Sequence, residues 1–148
     1  MSAHGEDAAF FRAALLLGLL RGQAVIDWAD QILGSEATPP AGFVDISTTP
    51  PDDLTLLRER LFAVATPKES AVVVGRLIGL VQRDLVSGRR AFQDTMTVLK
   101  QLRAFVAVGR DLNEQLKALG VDVAMAAAGA PERRAAEQRV RDWLQQYA

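Results

Sequence analysis

The sequence predicts an all-α protein. Three observations carry this: apolar residues recur at helical spacing through most of the chain, few segments alternate with period two, and helix-start signals recur along it. The arrangement expected is one domain over residues 1–148, an irregular bundle of six or seven helices with short connections. A chain of 148 residues is of ordinary single-domain size and can bury a core without covalent staples.

The first helix is expected from about Glu6 to Leu20. Phe11, Leu15 and Leu19 share one stripe and Phe10, Leu17 and Leu20 another, so the helix should be largely buried, with Gly22 as its break. The second, about Gln23 to Leu33, places Val25, Trp28, Ala29, Ile32 and Leu33 on one face and Asp27, Asp30 and Gln31 on the other. Residues 36–51 contain Pro39, Pro40, Pro50 and Pro51, which disfavour helix. Phe43, Val44 and Ile46 inside that stretch predict an ordered loop with a short extended piece, docked on the core by Phe43 and Ile46.

A third helix is expected with Thr49 as N-cap, Pro50 at the first helical position and Asp52 at the third, followed by Leu54, Leu57, Leu61 and Val64. A fourth is expected to open the same way at Thr66 and Pro67, with Glu69 closing a capping box, and to run to about Val86. The fifth carries Phe92, Met96, Leu99, Leu102 and Val106. The sixth carries Leu112, Leu116 and Leu119 and should stop at Gly120 in a left-handed conformation. Residues 121–130 read equally as helical turn or loop. Pro131 starts the last helix, whose stripe is Ala136, Val140, Trp143 and Tyr147. No internal repeat is visible. Small residues spaced by four, Ala14, Gly18 and Gly22 and again Ala71, Gly75 and Gly79, suggest close backbone approach, a logic best documented between membrane helices.

Composition narrows function. Without cysteine there is no disulfide, thiolate zinc site or cysteine nucleophile, which fits a reducing compartment, and the cytoplasm is the expected location. His4 is the only histidine and lies in a terminus expected to fray, so histidine-based catalysis or metal binding has scarcely a candidate. No phosphate-cradling glycine loop and no nucleophile elbow occurs. The early uncharged run from Ala13 to Leu20 is far short of the roughly 20 residues needed to span a bilayer. Glu6 and Asp7 stand where a secretory signal requires positive charge. No catalytic residue, metal or cofactor is assigned.

Charge is polarised. Residues 1–60 carry nine acidic and four basic side chains; residues 61–148 carry nine acidic and thirteen basic ones. The overall net charge of −1 lacks the footprint of a nucleic-acid binder. Asp27 and Asp30, with Glu36, Asp45, Asp52 and Asp53 near them in sequence, form the best acidic constellation. Its simplest reading is a solvated helix face plus acids favoured at a helix start; its functional reading is a surface for another protein with a basic face. Arg76, Arg83, Arg89, Arg90 and Arg103 form the best basic constellation, an alternative site for a small molecule or anion, although pairing with Asp84 and Asp94 would also explain part of it. Trp143 and Tyr147 share a face near the C-terminus that would suit a homodimer.

The runs Leu15-Leu16-Leu17-Gly18-Leu19, Val25-Ile26-Asp27-Trp28-Ala29-Asp30-Gln31-Ile32, Pro39-Pro40 and Val44-Asp45-Ile46-Ser47 resemble the N-terminal part of small uncharacterised helical proteins of bacteria. Some proteins of that kind are similar to immunity or accessory proteins that bind a partner. The resemblance covers about a third of the chain, implies a non-enzymatic interaction module and supplies no catalytic residue.

Overall fold

In a computed structural model, residues 4–65, 71–126 and 130–148 are described. Among these the chain is all-helical, with eight helices: α1 (Gly5–Leu16), α2 (Gly22–Ser35), α3 (Phe43–Ser47), α4 (Leu54–Val64), α5 (Ala71–Val86), α6 (Phe92–Phe105), α7 (Arg110–Met125) and α8 (Pro131–Gln145). Two compact units divide the chain, Met1–Val73 and Val74–Ala148, and the division falls inside α5.

The count of six or seven helices is corrected to eight because the docked segment is helical. Residues 43–47 form one short helix, not an extended piece, entered through Gly42 at φ +99°. The docking itself is as expected: Phe43 and Ile46 are completely buried. They join Ala8, Leu15, Val25, Ile26, Ala29, Leu57 and Leu61 in the core of the first unit, where α1 packs on α4, α2 on α3 and α3 on α4. An aromatic cluster continues from it. Phe43 meets Trp28 at 5.1 Å between centroids, Trp28 meets Phe11 at 4.8 Å, and His4 stands edge-on to Phe43 at 5.5 Å. His4 does not fray: its Nε2 lies 2.6 Å from Glu36 Oε1.

In the first unit three helix boundaries differ from the sequence reading. Helix α1 ends before Gly18, which takes φ +70°, a conformation costly for any residue with a Cβ. Gly22, the expected break, instead sits at the start of α2. Thr49 does not cap the third expected helix. It is buried, donates its hydroxyl to the Asp45 carbonyl at 2.7 Å and accepts from Arg60 Nη1 at 2.6 Å, so its oxygen is spent closing α3. The cap of α4 is Asp53, whose Oδ1 accepts from the Leu56 amide at 3.1 Å. Asp53→Ala should therefore lower the stability of the first unit by about 1 kcal/mol, read as a shift of the denaturant midpoint. An unchanged midpoint would mean the cap contributes nothing. The opening expected at Thr66, Pro67 and Glu69 lies outside the described residues.

In the second unit the buried apolar side chains include Leu77, Ile78, Val81, Val98, Leu102, Leu116, Val140 and Leu144, and α7 packs on both α6 and α8. The small-residue stripe on α5 has a local explanation. A Cβ on Gly79 would lie 2.8 Å from the Tyr147 carbonyl oxygen, so the glycine admits the C-terminal turn. Gln82 Nε2 donates to Gln145 Oε1 at 3.3 Å beside it.

The backbone repeats a plan that the sequence hides. Helix α1 and helix α5 both end in a turn through a left-handed glycine, Gly18 and Gly88, seventy positions apart. Extended backbone follows in both, at Arg21 and Ala91, and starts a helix of 14 residues, α2 or α6. Each of those ends on extended backbone, and the next helix is entered through a positive-φ glycine, Gly42 or Gly109. Burial keeps the same register: Val25 matches Thr95, Ala29 matches Leu99, and all four are buried.

Candidate functional site

The acidic constellation lies wholly in the first unit and is largely exposed. Asp27, Asp30, Asp45, Asp52 and Asp53 are exposed and Glu36 is half-buried. Asp27 accepts from Gln23 one helical turn earlier at 2.8 Å. The Ser47 hydroxyl donates to Asp30 Oδ1, tying α3 to α2. The Arg60 guanidinium holds the Asp45 carbonyl oxygen at 2.6 Å, fixing α3 to α4 as well. Glu36 faces His4, and Asp53 is engaged in capping α4. No group of three or more histidine, aspartate or glutamate side chains among the described residues is arranged to hold a metal ion.

The arginine constellation does not gather into one site. Arg83 and Arg89 are exposed. Arg90 pairs with the buried Asp84, 3.6 Å away, and its amide donates to the Asp84 carbonyl, so it closes the α5–α6 turn. Arg76 is half-buried on α5 and has interactions of its own. Arg103 lines a cavity.

That cavity is a cleft of about 580 Å³ between α6 and α7, flanked by Arg133 in the first turn of α8. The buried Leu99, Leu116 and Val123 form its floor, and Met96, Val121 and Ala124 continue the apolar lining. Its cations are Lys100 and Arg103 from α6, Lys117 from α7 and Arg133. Arg133 is committed to the protein: it donates to the Val123 carbonyl at 2.9 Å and to Gln93 Oε1 at 3.4 Å, and it faces Glu137 at 3.5 Å. Arg103 gives Nε to Asn113 Oδ1 at 3.1 Å.

The sequence reading missed Lys117 and Arg133. The signal was present: Lys117, Gly120, Val121 and Ala124 lie at i, i+3, i+4 and i+7, one helix face with little side-chain bulk. Stopping the helix at Gly120 concealed it. Gly120 is interior to α7 and its φ is not positive, so the expected left-handed stop is corrected.

Trp143 and Tyr147 are half-buried. Their rings lie 5.2 Å apart, and Trp143 Nε1 donates to Gln115 Oε1 at 2.9 Å. The Tyr147 ring also lies 3.9 Å from where a Gly75 Cβ would stand. Among the described residues no helix is long and apolar enough to cross a membrane. No family model, curated protein or solved structure matches the chain.

Proposed function

We propose that the protein is a non-enzymatic interaction module of the cytoplasm, accessory or immunity-like, whose acidic N-terminal half receives another protein through a basic surface. What supports the reading is that Asp27, Asp30, Asp45, Asp52 and Asp53 are all exposed within the first unit, where α3 packs on α2. Complementary charge of this kind chiefly raises the encounter rate and selects among partners. A homodimer through Trp143 and Tyr147 would have to use their outer halves, since the inner halves are engaged within the chain. The alternative, a small-molecule or anion-binding module, draws its support from the cleft at Arg103.

The test compares the wild type with a variant combining Asp27→Lys and Asp30→Asn; asparagine removes the charge but keeps an acceptor for Ser47. With a partner recovered by affinity capture, the variant's association rate at low salt should fall about tenfold. The difference should vanish near 1 M salt, where the Debye length is about 3 Å. Equal rates at low salt would place the interface elsewhere.

A further inference from the structure

We propose that the α6–α7 cleft of the second unit binds a free amphipathic monoanion, a medium-chain alkyl carboxylate, with its carboxylate among Lys100, Arg103 and Lys117 and its chain along the apolar lining. The inference rests on the anion-binding alternative and specifies its ligand.

Charge gives the headgroup. No carboxylate lines the cleft, and Lys100, Arg103 and Lys117 have no acidic partner among the described residues. Three uncompensated cations around one cavity repel one another, and an anion between them relieves that repulsion. Arg133, already hydrogen-bonded to Val123 and Gln93, serves as a fixed wall.

The lining gives the tail. Leu99, Leu116 and Val123 lie almost out of solvent beneath the cleft, while Val121 stands 51% exposed at its side, an apolar surface that an alkyl chain would cover. Among the described residues no aromatic ring lines the cleft, so a nucleobase would have nothing there to stack on. The volume falls within the range of small-molecule sites.

Gly120 supplies an independent argument. An interior helical glycine costs about 1 kcal/mol against alanine. At Gly79 a close backbone neighbour explains the residue; at Gly120 a Cβ would meet nothing within 4 Å, and no positive φ demands glycine. Gly120 lines the cleft, so a side chain there would take up cleft volume.

Calorimetric titration of the full chain with hexanoate, octanoate and decanoate, each below its micelle concentration, tests the proposal. Saturable binding at one site is expected, tightening about fourfold per added methylene. Lys100→Gln with Lys117→Gln should weaken decanoate about tenfold and leave decanol unaffected. Gly120→Leu should abolish binding while keeping or raising the unfolding midpoint, which separates a filled cleft from a misfolded chain. Undiminished binding to Gly120→Leu would put the site elsewhere and overturn the proposal. Inorganic phosphate or a nucleotide binding as tightly as decanoate would keep the anion-binding reading and overturn the amphiphile. Silence from every ligand would overturn both. Retention on phosphatidylglycerol vesicles without saturable binding of monomeric decanoate would assign the cations to a membrane surface and overturn it too.

Discussion

Phe43→Ala is expected to destabilise the first unit by about 3–5 kcal/mol, the usual range for removing a buried phenylalanine. Phe43 is fully buried and carries edge contacts from Trp28 and His4, so truncation removes aromatic packing as well as apolar area. The change also undocks α3, because with Ile46 it is the anchor of that five-residue helix. Since whole domains are stable by only about 5–15 kcal/mol, the loss approaches the total for a unit of this size. Val44→Ala is the matched control: next in sequence but 61% exposed, it should shift stability by no more than about 0.5 kcal/mol. Urea denaturation followed by tryptophan fluorescence reads both, since Trp28 belongs to the cluster. Equal midpoints for the two variants would show that the docked segment contributes no stability.

Gly22→Ala is expected to be nearly as damaging, at about 3 kcal/mol, the upper end of overpacking costs. A methyl group there would collide with the Pro51 carbonyl oxygen and stand 2.8 Å from Leu57 Cδ1. The obstacle is backbone, fixed by the turn that leads into α4, and cannot rotate away like a side chain. Elsewhere in a helix the same substitution would be stabilising by about 1 kcal/mol, so the sign of the effect is diagnostic. A variant as stable as the wild type, by thermal or urea unfolding, would show that residues 50–52 yield. Gly34→Ala, where a Cβ meets nothing within 4 Å, gives the reference.

These two sites show what the sequence revealed and what it withheld. Helical periodicity located most helices, and the apolar triplet in the proline-rich stretch disclosed a docked segment. Periodicity says nothing, however, about which glycine bends the chain. Gly18 and Gly22 are equivalent as residues; the positive φ of one and the neighbour of the other are tertiary facts. Thr49 likewise carries every mark of an N-cap, but a part-buried arginine contact claims its oxygen first. The acidic face of α2 was legible because it needs only one helix. The cleft was not, because Arg103 and Lys117 come together only when α6 packs on α7, and Gly120 read as the end of a helix that in fact continues to Met125.

The seventy-residue correspondence between α1–α2 and α5–α6 makes one half of the chain a ruler for the other. Where paired positions agree, as at Gly18 with Gly88 or buried Ala29 with buried Leu99, the residues answer to the backbone. Where they part, they answer to the surroundings. Asp27 pairs with Thr97 and Asp30 with Lys100, so the acidic face of α2 and the α6 wall of the cleft are the same face of the same helix. At Asp30 and Lys100 the two helices thus carry opposite signs of charge at equivalent places.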